Sequence, residues 1–189
     1  RIAPRFQWLG NDQLWAYDQK SGQTIILDTR TGLSSALDKQ IMNVSPDGKY
    51  YTYQDDKKLM LKEVEGSKVI EIDKVVQVAG LERRGLWPVW SPDSQMLAVS
   101  SKKDGLYTEA VVDVKGNFVT HVGREQYQIN PTWSPRSDKI LTNCKVQISG
   151  KNFCLYNLRG ELEKEFAPGS FTNSDGNISL DGGYIHYLL

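Results

Sequence analysis

One short pattern recurs through this chain, and it limits the possible folds more than any other feature. Val44-Ser45-Pro46-Asp47-Gly48-Lys49, Trp90-Ser91-Pro92-Asp93-Ser94-Gln95 and Trp133-Ser134-Pro135-Arg136-Ser137-Asp138 align, with their prolines 46 and 43 residues apart. Weaker copies flank them, Trp8-Leu9-Gly10-Asn11-Asp12 near the start and Ile178-Ser179-Leu180-Asp181-Gly182 near the end. A second marker runs in phase with the first: Gly32, Gly66, Gly116 and Gly160 each lie between two apolar runs. A fixed period of this size marks a repeat architecture, in which each unit buries its apolar faces on its neighbours.

One period reads as four strands. Ser-Pro-Asp-Gly suits a tight turn, because Pro presets φ, Asp bonds its own backbone and Gly accepts φ > 0. A large residue precedes the turn, and β-forming runs follow it, as in Tyr50-Tyr51-Thr52-Tyr53, Met96-Leu97-Ala98-Val99 and Ile140-Leu141-Thr142. Polar turns lead to third strands such as Thr24–Leu27, Leu59–Leu61, Ala110–Val112 and Phe153–Tyr156. The marker glycine then opens a fourth strand whose charge protects an outer edge. No segment holds a helical period over a useful length. The chain is therefore expected to be all-β: a β-propeller of four-stranded antiparallel blades, with Trp90 and Trp133 buried at equivalent places.

The blades fall at about 5–40, 41–85, 86–128 and 129–173, with a partial blade over 174–189, all in a single domain spanning 1–189. Residues 1–4 are too few to supply the two missing strands. The chain reads as a piece of a larger propeller, ahead of a small ring that closes in an unusual way. Its start, Arg1-Ile2-Ala3-Pro4, has no apolar signal region, which fits an excised domain.

The Trp-Ser-Pro-Asp-Gly-Lys motif resembles the repeat of TolB-like propellers, found also in the propeller domains of prolyl oligopeptidase-like and tricorn-type peptidases. The match is strong at 44–49 and 90–95 and good at 133–138, although Arg136 stands where the turn Asp is expected. It is weak at 8–12 and 178–182. The resemblance implies the fold, and most directly a non-catalytic protein-binding or scaffold domain in the periplasm or at the cell surface of a bacterium. A second implied role is the regulatory propeller of a serine peptidase whose catalytic domain lies outside this chain. A third is a carbohydrate-binding propeller using Trp15, Trp87 and Tyr127.

Charge and motifs narrow these roles. Lys and Arg number 23 against 23 Asp and Glu, so bulk electrostatics favours neither nucleic acid nor an anionic membrane as partner. No apolar run approaches the roughly 20 residues of a membrane helix, so this segment is not expected to insert. No Gly-x-Ser-x-Gly occurs, and both histidines, His121 and His186, fall on expected strands. Asp47, Asp93 and Asp181 belong to successive turns and read as turn formers, not as a carboxylate pair. Asn173–Asn177 has the alternation of a calcium loop without its later Glu, and two cysteines with two distant histidines make no zinc spacing. No catalytic residue, metal or cofactor is expected.

Cys144 and Cys154 flank a hairpin. A three-residue loop over Ile148-Ser149-Gly150 would pair Gln147 with Lys151 and set Cys144 opposite Cys154 in a non-hydrogen-bonded pair. A disulfide fits there, as do two reduced cysteines packed as small apolar groups, and the bridge would favour an extracytoplasmic compartment. For the partner surface, the loops joining strands two and three, and those leaving strand four, are longer and more variable than the turns. They place Arg83, Arg84, Trp87, Arg124 and Tyr127 at one end of the propeller, where arginines and aromatics suit a protein interface.

Overall fold

The computed structural model describes residues 6–9, 11–18, 23–37, 39, 41–79, 88–125, 131–147, 150–166, 176–178 and 185–187. The first sheet holds β1 (Phe6–Leu9), β2 (Gln13–Asp18), β3 (Gln23–Asp28) and β4 (Ser34–Leu37). The second holds β5 (Ile41–Val44), β6 (Tyr50–Asp55), β7 (Lys58–Glu63) and β8 (Val69–Glu71). The third holds β9 (Val89–Trp90), β10 (Met96–Lys103), β11 (Leu106–Asp113) and β12 (Phe118–Glu125). The fourth holds β13 (Thr132–Trp133), β14 (Lys139–Gln147), β15 (Gly150–Asn157) and β16 (Leu162–Phe166), and β17 (Gly176–Ile178) pairs with β18 (Ile185–Tyr187). Every sheet is antiparallel with its strands in chain order, and the sheets do not close into a ring. Among the described residues the one helical element is a single 3-10 turn, Ile72–Lys74. The architecture is a β-propeller of four full blades and part of a fifth.

Burial on both faces of the middle strands holds the blades together. Leu9, Trp15 and Ile26 of the first sheet pack on Ile41, Val44, Tyr51 and Tyr53 of the second. Leu59, Leu61 and Ile72 pack on Trp90, Leu97, Val99, Ala110 and Val112. Ala98, Val111 and Val122 then turn the other way, onto Trp133 and Ile140. Strand alternation makes this two-sided arrangement possible, since neighbours such as Leu97 and Ala98 point to opposite blades. Trp90 and Trp133 are 7% and 6% exposed at equivalent positions. First strands converge on the inner side: Asn43 Nδ2 donates to Pro88 O (2.8 Å), and Trp133 Nε1 donates to Val89 O (2.9 Å).

The repeated serine organises each turn. The Ser45 and Ser91 hydroxyls donate to Asp47 (2.7 Å) and Asp93 (2.6 Å) and accept the amides of Tyr50 (3.0 Å) and Met96 (2.9 Å). In the fourth blade Ser134 reaches Asp138 instead (2.7 Å), so Asp138 takes over the task that Arg136 cannot perform. The turn position that holds Gly48 (φ 71°) in the second blade is Ser94 (φ 63°) and Ser137 (φ 60°) in the next two. These serines accept left-handed backbone because their hydroxyls cross to the preceding blade. Ser94 Oγ takes the Asp47 amide and Ser137 Oγ takes the Asp93 amide, both at 3.0 Å.

The second marker holds in three of four blades. Asp28, Asp113 and Asn157 each cap the turn before Gly32, Gly116 and Gly160 by accepting two backbone amides at 2.8–3.1 Å. In the second blade that place belongs to Glu63, one methylene longer. Gly66 there lacks the positive φ of the other three.

Ser94 provides a test of the cross-blade bond. Ser94→Ala removes the bond and keeps the backbone strain, and it should cost roughly 1–3 kcal/mol in urea unfolding. Ser94→Gly removes the same bond but releases the strain, and it should cost about 1 kcal/mol less than the alanine variant. An alanine variant as stable as the parent, or a glycine variant below it, would exclude this role for the hydroxyl.

Candidate functional site

The two ends of the blades differ. At one end the first and third turns of the first three blades are tied together by backbone bonds: Thr29 to Asp12 O (2.7 Å), Val64 to Lys49 O (2.8 Å) and Val114 to Gln95 O (3.0 Å). The hairpins between second and third strands and the exits from the fourth strands emerge at the other end, the loop end. Contrary to the expectation of longer loops, the β6–β7 and β10–β11 hairpins turn over two residues each, fewer than the turns, and the length lies in the exit between Glu71 and Val89. Arg124, near the end of β12, marks it: its guanidinium lies 3.7 Å from Asp104 in the β10–β11 hairpin, with both side chains about two-thirds exposed. An exposed pair at that distance holds Arg124 weakly. Tighter pairs at the same end bind Lys39 to Asp55 (2.6 Å) and Lys58 to Glu71 (2.9 Å). The Lys58 ammonium, with Lys74, keeps the Glu71 carboxyl below its ordinary range despite some desolvation. Lys102 lies over the Tyr107 ring, 4.7 Å from its centroid.

The connection from the second to the third blade is built into the third sheet. β9 pairs only with Leu97 and Ala98 of β10. Further along the same edge, Val78 pairs with Ser101, Ala79 N–H donates to Ser100 O (2.9 Å) and Lys102 N–H to Gln77 O (3.1 Å). The Ser101 hydroxyl adds a bond to Gln77 O (2.8 Å). The chain thus reaches the inner edge of the third sheet at the loop end before residue 80. Arg83, Arg84 and Trp87 fall in 80–87 and Tyr127 in 126–130, and all four lie outside the described residues. The ends of 80–87 are fixed beside neighbouring stretches of β10, and Arg124 stands on β12, the outermost strand. About 14 Å, three strand spacings, separates those edges. The β-branched run Val75-Val76-Gln77-Val78 was the sequence signal for this extra pairing.

Among the described residues, the repeat serines and His121 are occupied. Ser45, Ser91 and Ser134 are buried in their turns. His121 Nδ1 is 3.2 Å from Thr108 Oγ1, its ring lies 4.8 Å from that of Phe118, and burial, then Lys103, holds its pKa below the usual value. The His186 side chain lies outside the described residues. Trp15, one of the aromatics offered to a glycan, is 4% exposed in the core between the first two sheets. Among the described residues no three His, Cys, Asp or Glu side chains gather as for a metal, and no helix is long and apolar enough to cross a membrane.

Between the third and fourth sheets sit two features of a different kind. Glu109 is 1% exposed, opposite Val122 and so turned toward the fourth sheet, and Ser100 Oγ donates to it at 3.0 Å. Burial pushes its pKa up to about 8, against which the single serine bond acts weakly. The protonated acid is the form such a place favours. On the face of the fourth sheet that turns toward the third lies the Cys144–Cys154 disulfide, with Cα atoms 5.8 Å apart and both residues buried. Its register corrects the expected one. Gln147 pairs with Gly150, and a bulge between Cys144 and Gln147 sets Cys144 opposite Asn152 and Cys154 opposite Thr142. The two cysteines are diagonal neighbours, which the twist of an antiparallel pair brings within bridging distance.

No protein-family model matches the chain, and no curated protein matches it. Solved structures do. TolB from Acinetobacter baumannii is similar at a TM-score of 0.53 and 16% identity, over 87% of this chain and 42% of that one. The putative TolB of Agrobacterium tumefaciens gives 0.51 at 20% identity, over 94% and 70%. The β-propeller domain of the Trilobed protease from Pyrococcus furiosus, described as having an open velcro topology, gives 0.55 at 13% identity, over 93% and 59%. The fold is that of TolB-like propellers, and the chain spans less than half the length of the Acinetobacter protein.

Two measurements probe the space between the third and fourth sheets. Glu109 is neutral when folded and ionises freely when unfolded. Its contribution to stability is therefore full below the ordinary carboxylate range and fades as pH rises toward about 8. Glu109→Gln should flatten this dependence, melting higher than the parent at about pH 8 and close to it at about pH 5. An unchanged pH profile would show that Glu109 carries no such titration. Thiol titration of denatured, unreduced protein should detect no free thiol, and Cys144→Ala with Cys154→Ala should cost roughly 2–3 kcal/mol. Two titratable thiols would remove the bridge.

Proposed function

We propose that this chain is a non-catalytic propeller that binds a protein partner at its loop end, in an extracytoplasmic compartment of a bacterium. The asymmetry between the two ends carries this reading. The serines and aspartates of the described repeat turns are spent on turn hydrogen bonds, whereas the weakly paired Arg124 and the anchored 77–79 connection lie at the other end, where the long exit between Glu71 and Val89 leaves the second blade. A rigid scaffold presenting variable loops is the usual layout of a binding surface. The buried disulfide supports an oxidising compartment. The similarity to two TolB structures supports the same reading.

A second reading, the regulatory propeller of a serine peptidase, is favoured by the likeness to the propeller domain of the Trilobed protease. On that reading a hydrolase domain with its own nucleophile lies outside this chain. A Gly-x-Ser-x-Gly hydrolase domain in the parent gene would decide for it. Peptidase or esterase turnover by the isolated chain, abolished by a substitution within 1–189, would overturn the non-catalytic reading.

Affinity capture from a periplasmic extract tests the binding end. Arg83→Ala with Arg84→Ala should weaken partner capture about tenfold or more while leaving the melting temperature nearly unchanged. Normal capture by that variant, with capture lost in folded Asp47 or Asp93 variants, would place the interface at the turn end.

A further inference from the structure

A carboxyl group and a disulfide share the interface between the third and fourth blades, and both are shut away from water while that interface is closed. Ala98, Val111 and Val122 of the third sheet pack on Trp133 and Ile140 of the fourth. Strand alternation carries the same two faces onward toward the loop end. On the third sheet the next step reaches Ser100 and Glu109, which pair across β10 and β11. On the fourth it reaches Thr142, paired with Cys154, and then Cys144. Glu109 is 1% exposed, Cys144 3% and Cys154 2%. The Ser100 hydroxyl donates to Glu109 at 3.0 Å, and among the described residues no second donor reaches it. The other ionisable groups on these faces give its charged form no support. Glu125 pairs with Tyr107 and Glu165 with Cys154. After burial, these two carboxyls raise the pKa of Tyr156, so they flank the same space from both sheets. Glu165 accepts a bond from Asn152 Nδ2 (2.6 Å), and the Lys102 ammonium lies over the Tyr107 ring.

We propose that Glu109 is a proton-operated latch: protonated, it lets the third and fourth blades close over the disulfide, and without its proton they part at the loop end and expose the Cys144–Cys154 bridge to reductant. In the closed interface one serine hydroxyl stands in for a full shell of water, and an ionised carboxylate would lie opposite Val122 with no cation bound to it among the described residues. Burial accordingly raises the pKa to about 8 from the ordinary 4.5. When the blades part, water solvates the carboxylate and the ordinary value returns. The open form therefore gains on the closed one as pH rises from about 5 to about 8, by up to tenfold per pH unit, and gains no more above that. The bridge gives this opening a chemical readout, because reduction needs access to sulfur. A trialkylphosphine attacks one sulfur and the S–S bond breaks. Water then supplies the oxygen of the phosphine oxide and the protons of two thiols, the phosphorus being oxidised as the sulfurs are reduced. The latch acts on β12 and on the β14–β15 hairpin, and it stands apart from the partner proposed for the loop end.

The test is the rate at which a water-soluble trialkylphosphine reduces the folded chain between about pH 5 and about pH 8. Dividing by the rate for the urea-unfolded chain at each pH removes the reagent's own pH dependence. For the parent this quotient should climb about a hundredfold or more across the interval. For Glu109→Gln, which cannot ionise, it should stay within about threefold. Far-UV circular dichroism checks the variant, and Glu109→Met, apolar and of similar length, replaces it with the same expectation if the glutamine chain is unfolded. Adding about 1 M urea should change the parent rate by less than about twofold, since parting two blades at one end exposes little surface, whereas global unfolding would speed it about tenfold or more. A flat quotient for the parent overturns the proposal without reference to any variant. So does a rise that the folded variant shares, or a rate that urea multiplies about tenfold.

Discussion

A strand buried on both faces cannot stand alone, and this requirement governs the molecule. In the third blade Leu97, Val99, Ala110 and Val112 need the second sheet, while Ala98 and Val111 need the fourth. Each blade is half of two cores and owns neither. Substitutions at such positions act on two blades at once, and stability follows neighbour interfaces instead of a single centre. The same requirement explains why Trp90 and Trp133 persist at the inner edge. Trp133 finds the Val89 carbonyl for its indole N–H, but the indole N–H groups of Trp15 and Trp90 are buried without a partner. The volume those rings fill between sheets outweighs an unmade bond of about 1–3 kcal/mol each.

Hydrogen bonds set the spacing that apolar packing alone leaves loose. Each turn serine holds its own turn, and Ser94 and Ser137 reach back to the turn before. A serine in left-handed backbone is strained unless its side chain has work to do. The cross-blade bond is that work, and it couples the phase of one turn to the next. Functional expectations change accordingly: a Ser-Pro-Asp motif carries a hydroxyl beside a carboxylate, yet here the carboxylate positions the hydroxyl toward backbone and the pair is closed.

The period, the four-strand unit and the buried tryptophans were legible because they rest on residue type at fixed spacing. Other features were harder to read. Gly66 looked like its three counterparts, and the difference lay in Glu63, where the others have a shorter Asp or Asn able to cap the turn. The cysteine hairpin misled by two one-residue shifts, since Gln147 pairs with Gly150 instead of Lys151 and a bulge between Cys144 and Gln147 moves the register once more, and composition shows neither. Glu109 was visible as an acid inside Thr-Glu-Ala-Val-Val, a run apolar on both faces, and only the sheet order shows which blade it faces. At the candidate site the sequence placed Arg124 on the loop leaving the fourth strand; it stands instead on β12 itself, at the loop end and beside Asp104. Nor did the sequence show that 77–79 would take up the free edge of β10, because edge pairing is decided by what the neighbouring strand leaves open.

Short first strands are what leave that edge open. β9 and β13 each contain two residues, against eight or nine in the second strands beside them, so most of the inner edge of β10 and β14 has no first-strand partner. In the third blade the incoming connection fills this gap and stiffens the base of the 80–87 segment. A loop rooted by backbone bonds loses less freedom on binding than one rooted by side chains, so its affinity is spent on the partner instead of on ordering itself.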